Sequence, residues 1–284
     1  MSHDLADVAP EWPGTLRHRP LAVFDGFAIS VVTCAGACRD WVGPETAGGP
    51  AVVFVRRGSF ARRANGLESL LDATLVYFER PGTEEQFAHP AGHDDECLTI
   101  GLPLAFLEDL GRSPAELPEA PLYTTARIDL AHRRLALEAG RGLDGFELHE
   151  RASRLVLELL EGIAHRSLSG RPATAKARRR LVGRAREALL SDTSIGLGAL
   201  ARHAGCSRHH LSRVFSGETG QTLSVYRNRL RMAVALARLE DGERDLTRLA
   251  AELGFADHAH MTRVARAHLD QPPSHLRRLL LPAN

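Results

Sequence analysis

Lysine is nearly missing from this 284-residue chain: Lys176 is the only one, and arginine supplies almost all the positive charge. Aromatic residues are sparse, at 5%. The four cysteines, Cys34, Cys38, Cys97 and Cys206, form no Cys-x-x-Cys pair, so neither a zinc ribbon nor a dithiol redox motif is present. Residues 1–11 are acidic and carry no apolar stretch of the signal-peptide kind, and no long hydrophobic run exists elsewhere. These absences argue against a secreted disulfide scaffold and against a membrane protein. They lead to the expectation of a cytoplasmic protein with reduced thiols and no membrane partner.

The composition that remains is that of an ordinary globular protein, 44% hydrophobic and 25% charged, with room for two domains. A net charge of +1 hides a division. Residues 171–284 hold 20 Arg/Lys and 10 Asp/Glu, while residues 1–170 hold 16 basic and 25 acidic side chains. A basic half attached to an acidic half points to a polyanionic partner for one half only.

The basic half contains one pattern written twice. Leu200-Ala201 followed by Gly205 recurs as Leu249-Ala250 followed by Gly254, an offset of 49 residues that becomes 50 after the glycine. Ser207 then corresponds to Asp257, Leu211 to Met261 and Arg213 to Arg263, and Ser224-Val225-Tyr226-Arg227 to Ser274-His275-Leu276-Arg277. Each copy reads as a supporting helix, a turn at glycine and a second helix with a polar face. That is a helix-turn-helix, and the spacing predicts units over about 195–215 and 246–268. Ala201 must be small where the helices cross, and Ser207 and Asp257 suit N-cap positions. Leu211, Val214, Phe215, Met261 and Val264 face inward. Arg208, His209, Ser212 and Arg213 face out in the first unit, and His258, His260, Thr262 and Arg263 in the second. Arginine can fork onto guanine O6 and N7, whereas histidine, serine and threonine discriminate less. A helix over about 224–239, with Leu230, Ala233, Val234 and Ala237 on one face, connects the units.

Residues 21–104 show short apolar runs with turn signals about every ten residues, which favours a β-sandwich or barrel. Asn65-Gly66 is a hairpin turn candidate. Residues 123–166 become helical, with Leu155, Leu159, Leu160 and Ile163 on one stripe that suits the chain's own barrel, a partner subunit, or both. A linker over 167–176 leads to a helix over about 177–190. Trp41, Phe54, Tyr77, Phe78 and Phe87 are candidates for a pocket lining or for plain core. His89, His93 and Glu96 lie close in sequence and Cys34, Cys38 and Cys97 are available to join them, but Pro90 and Gly92 break any helical ligand spacing. The expectation is no metal, no cofactor and no catalytic residue.

Residues 176–280 resemble the C-terminal domain of AraC/XylS-type transcription regulators. The matching stretches are Leu200-Ala201-x3-Gly205-Cys206-Ser207-x3-Leu211-Ser212-Arg213-x-Phe215, then Glu218-Thr219-Gly220-x4-Val225-Tyr226-x3-Leu230-Arg231, Leu249-Ala250-x-Glu252-Leu253-Gly254-Phe255-x-Asp257 and Pro273-Ser274-x2-Arg277. The sequence departs from the family at Ala265, where phenylalanine is usual, at Asp270, where glycine is common, and at Pro272, which removes a threonine cap. The resemblance implies an α+β chain: a cupin-like β-barrel sensor with following helices over 1–166, and an all-α tandem helix-turn-helix domain over 177–284. It further implies base reading at His209, Ser212, Arg213, His258, His260, Thr262 and Arg263, together with double-stranded DNA, a small-molecule effector, RNA polymerase and a second copy of the chain as partners. The alternative is a cupin-type metalloprotein enzyme with an attached DNA-binding module, although the cupin pattern Gly-x5-His-x-His is absent from residues 21–104.

Overall fold

The computed structural model describes residues 15–35, 39–89, 94–163 and 172–281. The chain forms two compact units, one of Met1–Leu122 with Glu138–Ala152 and the other of Tyr123–Leu137 with Ser153–Asn284. No helix among the described residues is long and apolar enough to cross a membrane.

The first unit is built on strands β1 (Thr15–Phe24), β2 (Phe27–Ala35), β3 (Val42–Thr46), β4 (Ala51–Arg57), β5 (Ser59–Ala64), β6 (Leu67–Asp72), β7 (Leu75–Glu79), β8 (Glu84–Ala88) and β9 (Asp95–Gly101), with β10 at Leu122–Tyr123. They form a six-stranded sheet in the order β1-β2-β9-β4-β7-β10 and a four-stranded sheet in the order β3-β8-β5-β6. The seven strand pairs among β1–β9 are antiparallel, giving a double-sheet arrangement. Strand β4 is buried on both faces except at its last residue, as a central strand must be. Asn65-Gly66 does turn the β5–β6 hairpin, with both φ values positive (49° and 73°). Asp25-Gly26 makes the same kind of turn between β1 and β2 and carried too weak an alternation around it to be recognised. Strand β1 begins at Thr15, earlier than the apolar pattern suggests, because it is an edge strand rich in exposed charge with Pro20 at a bulge.

Helices α1 (Leu104–Asp109), α2 (Ala126–Gly140) and α3 (Gly145–Ile163) follow. Leu155, Leu159 and Leu160 of α3 are buried within the single chain; the side chain of Ile163 lies outside the described residues. Helix α4 covers Pro172–Ser191, so residues 172–176 of the expected linker are helical, and the rest of it lies outside the described residues.

The second unit continues with α5 (Leu197–Ala204), α6 (Arg208–Thr219), α7 (Leu223–Glu240), α8 (Leu246–Glu252), α9 (His258–Leu269) and α10 (Pro273–Leu280). Two apolar cores lie along it. Leu181, Val182 and Leu189 of α4, Leu200 and Ala201 of α5, Leu211 and Phe215 of α6, and Tyr226 and Leu230 of α7 form the first. Met232, Leu236 and Leu239 of α7 join Leu249, Phe255, Met261, Val264 and Leu276 in the second. One helix therefore feeds both cores, its first half one and its second half the other. Leu230, Ala233 and Ala237 are buried as expected, but Val234 is 46% exposed and does not belong to that stripe. Arg229 and Arg231 are buried on the connector as well, at 4% and 6% exposure.

Candidate nucleic-acid interface

The two helix-turn-helix units are built alike atom for atom at the turn. After α5 the Cys206 amide donates to the Ala201 carbonyl and the Gly205 amide to the Arg202 carbonyl, both at 3.0 Å. After α8 the Phe255 amide donates to Ala250 and the Gly254 amide to Ala251, again at 3.0 Å. This paired closure needs a left-handed residue at the glycine, and Gly205 and Gly254 sit at φ 72° and 73°. The second helix of each unit is then capped. Ser207 Oγ accepts the His210 amide at 3.2 Å, and Asp257 Oδ1 accepts the His260 amide at 2.5 Å.

The repeated arginine after the second helix has one job in both copies. Arg227 donates to the Ile195 carbonyl at 3.3 Å, and Arg277 to the Arg244 carbonyl at 3.0 Å. Each pins the segment that enters a supporting helix, so this part of the repeat is structural. Tyr226 and Leu276, which precede them in the repeat, are fully buried.

Arg208, His209 and Arg213 are exposed on α6, as are His258 and Arg263 on α9, while Ser212 and Thr262 are half-buried at matching positions. At roughly 100° per residue the positions 208, 209, 212 and 213 fall within one arc of about 140°. His260 is drawn elsewhere. Its ring packs edge-on against Phe255 at 5.4 Å, and its Nδ1 accepts the Ala256 amide at 3.2 Å, which holds it in the cap. Its counterpart is His210, absent from the sequence expectation, whose Nδ1 lies 3.4 Å from an Arg213 guanidinium nitrogen. The two histidines share a repeat position but not a role, His210 standing exposed and His260 half-buried in the cap. The Arg208 guanidinium lies beside Gly198, where any side chain would crowd it.

The second unit carries the three departures from the family pattern visibly. Ala265 is fully buried. Asp270 takes the left-handed C-cap at φ 57°, where Gly220 stands in the first unit, and accepts from Arg127 at 2.5 Å. Pro272 caps α10 with no side-chain hydrogen bond, whereas Thr222 Oγ1 accepts the Val225 amide at 3.2 Å.

A helix-turn-helix domain family model matches residues 200–279. Regulatory protein SoxS of Salmonella typhimurium is 32% identical over 89 residues, covering 31% of this chain and 83% of SoxS. The chain belongs to the AraC-type helix-turn-helix regulators. It is a DNA-binding transcription regulator. Among solved structures, ToxT from Vibrio cholerae O395 aligns over 89% of this chain and 98% of its own at 12% identity, with a TM-score of 0.35. An AraC-type transcriptional regulator from Chromobacterium violaceum aligns over 37% of this chain and 94% of its own at 21% identity, with a TM-score of 0.33.

The AraC-type regulator has a second candidate site inside its first unit, a cavity between the two sheets. Its walls include Val53, Phe60, Tyr77, Glu79, Phe87, His89 and Cys97. Of the aromatic residues singled out in the sequence, Tyr77 and Phe87 face this space. Phe54 and Phe78 are core and do not line it, and Trp41 stacks under the Arg63 guanidinium at 4.1 Å. Arg62 and Glu85 form a buried pair at 2.8 and 2.6 Å, and Arg62 also lies over the Tyr77 ring. Burial, reinforced by the Glu85 carboxylate and offset by Arg62, raises the Glu79 carboxyl to about 7. Burial opposes charge on His89, but hydrogen bonds to Asp95 and Cys34 prevail and raise it to about 9. Burial first, and then Asp95, pushes the Cys97 thiol well above its usual range. Glu96, grouped with the histidines in the sequence, points away from them and pairs with Arg56 at 3.2 Å and Arg57 at 3.6 Å. Cys38 and His93 lie outside the described residues.

Proposed function

We propose that this regulator reads two successive stretches of duplex DNA with α6 and α9, and that a ligand in the cavity of the first unit modulates that reading. The observation that carries the proposal is the duplicate construction. Arg213 and Arg263 occupy the same register on two identically turned and capped helices, both exposed. Arg208, His209, Ser212 and Arg213 would read from α6, and His258, Thr262 and Arg263 from α9, with His260 setting the start of α9. Arginine and backbone contacts to phosphate supply affinity, while base-edge contacts supply preference.

The cavity suits a compact ligand with an apolar face for Phe60 and Phe87 and a hydrogen-bond donor for Glu79. Its effect on DNA would be a coupling free energy between two sites. The reading assigns the chain no catalytic step, places it in the cytoplasm, and gives it RNA polymerase and a second copy of itself as partners. Val23 and Phe146 of the first unit, at 76% and 77% exposure, are apolar residues a second copy would cover.

Selection of random duplex DNA on the intact chain at fixed, near-physiological salt tests the DNA reading. Two short boxes about one helical turn apart are expected, near 10 base pairs centre to centre. One box would restrict reading to a single helix, and absence of any enriched sequence would refute the assignment.

A further inference from the structure

We propose that Cys34, His89, Asp95 and Cys97 form a binding site for a thiophilic divalent cation of the zinc class. Cys34 on β2 stands directly opposite Asp95 on β9, and Cys97 lies two residues further along the same face of β9. His89 follows β8 on the facing sheet. The four side chains are 4%, 3%, 7% and 5% exposed.

The ligand atoms of Cys34, His89 and Asp95 all lie within 4.8 Å of one another. Asp95 Oδ1 contacts His89 Nε2, and the Cys97 thiol donates to Asp95 Oδ2 at 3.6 Å. Tetrahedral zinc with bonds of about 2.0–2.3 Å separates its ligand atoms by roughly 3.3–3.8 Å. Within the Cys34, His89 and Asp95 group the longest separations would shorten by up to about an ångström, while Asp95 Oδ1 and His89 Nε2, now in direct contact, would move apart to admit the cation.

A second observation points the same way. Among the described residues, His89 Nδ1 is buried with no partner in hydrogen-bonding geometry, and besides Asp95 the group that acts on the ring is the Cys34 thiol. Two thiols, an imidazole and a carboxylate among the residues lining one cavity make a good donor set for a borderline-soft cation. Magnesium and calcium prefer all-oxygen sites and are disfavoured by the two sulfurs. Binding would deprotonate both thiols and the His89 imidazolium, so two thiols, one imidazolium and one divalent cation give a dithiolate–imidazole complex and three released protons. The site is in the cavity assigned above to a ligand, but the inference rests on this geometry and not on the regulatory reading.

The test uses the intact chain, stripped of metal by a chelator, kept reduced without added thiol, and titrated with Co²⁺. One equivalent should produce near-ultraviolet thiolate-to-cobalt charge transfer and the visible bands of tetrahedral cobalt. Zn²⁺ should displace it and excess Mg²⁺ should not. Cys34→Ser and Cys97→Ser should each remove about half the charge transfer. Each should also weaken binding by more than the roughly 10–100-fold that loss of an outer hydrogen-bond partner costs. Cys206→Ser, in the other unit, should change neither. X-ray absorption at the zinc edge of the unmutated chain needs no variant to fold, and should show sulfur at about 2.3 Å beside nitrogen and oxygen at about 2.0–2.2 Å. Absence of charge transfer, its persistence in both cysteine variants, or a zinc shell without sulfur would overturn the proposal. None of these readouts depends on DNA binding.

Discussion

Replacing Asp129 with alanine should loosen the connector helix α7 far more than the loss of one carboxylate suggests. Arg229 of α7 donates to Asp129 Oδ2 at 2.9 Å and to Thr124 Oγ1 at 2.7 Å, and the threonine hydroxyl donates on to Asp129 Oδ1 at 2.6 Å. Arg229 and Asp129 are 4% and 5% exposed. Asp129→Ala removes a charged hydrogen bond worth about 1.5–3 kcal/mol and a hydroxyl bond worth about 0.5–1.5 kcal/mol. The comparison with broken buried ion pairs, about 3–5 kcal/mol, falls in the same range, because the guanidinium is left buried without its counter-charge. The double variant Asp129→Leu with Arg229→Met should recover most of that loss, since an apolar pair of similar size is often as stable as the ions it replaces. A chain of two compact units need not unfold in one step, so a global midpoint is the wrong readout. Hydrogen exchange of the slow amides within residues 223–240, followed by mass spectrometry, reports the opening of α7 directly. Their protection should fall by at least about thirtyfold in Asp129→Ala, return in the double variant, and change little with added salt. A loss smaller than tenfold, or a double variant no better than the single, would refute the account of this pair.

Arg213→Ala and Arg263→Ala should each relax preference at one box of the selected DNA by about 1–3 kcal/mol and leave the other box unchanged; an unaltered selected sequence in both variants would remove α6 and α9 as readers. Pro272→Thr should raise the hydrogen-exchange protection of the α10 amides by restoring a side-chain cap, a gain of about 0.5–2 kcal/mol reduced by the lost rigidity of proline, and lower protection would contradict the cap argument. Glu79 holds its proton more tightly in the folded chain, with the carboxyl raised to about 7 from an ordinary 4.5. The unfolded chain therefore binds fewer protons between those values, and stability falls as pH rises through that window, by at most about 3 kcal/mol. Glu79→Gln should flatten this dependence and be the more stable protein at pH 8, as denaturant titrations at pH 5 and pH 8 would measure.

The second unit was legible in the sequence because a repeat is its own control. Leu211 and Met261, or Gly205 and Gly254, are each weak signals alone and strong as a pair, and the structure places both members alike. The repeat was read unevenly at one position: His260 was grouped with outward residues and its partner His210 was not, whereas His210 is exposed and His260 is half-buried in its cap. Buried arginines escaped notice because a single sequence shows Arg229 and Arg231 as charges on a helix and gives no sign of Asp129, a hundred residues away, or of the Thr193 carbonyl that accepts from Arg231 at 2.8 Å. The first unit was legible as strands and turns, since alternation and Asn-Gly are local. Its cavity was not, because the side chains that meet there come from strands of both sheets, among them β2, β4, β5, β7, β8 and β9, and their meeting depends on strand pairing. Asp95 was passed over for Glu96, its neighbour on the opposite face of β9, an error of one residue that alternation makes decisive.

The arginines buried in the helical unit alter how its charge is counted by a nucleic acid. Arg186, Arg229 and Arg231 lie inside, and Arg238 and Arg248 are bridged to Glu243 and Glu252. A duplex can exchange its condensed counterions only for cations it can approach. The ionic-strength dependence of binding will therefore report a smaller number than the twenty basic residues of this half, and that number measures the surface that touches phosphate.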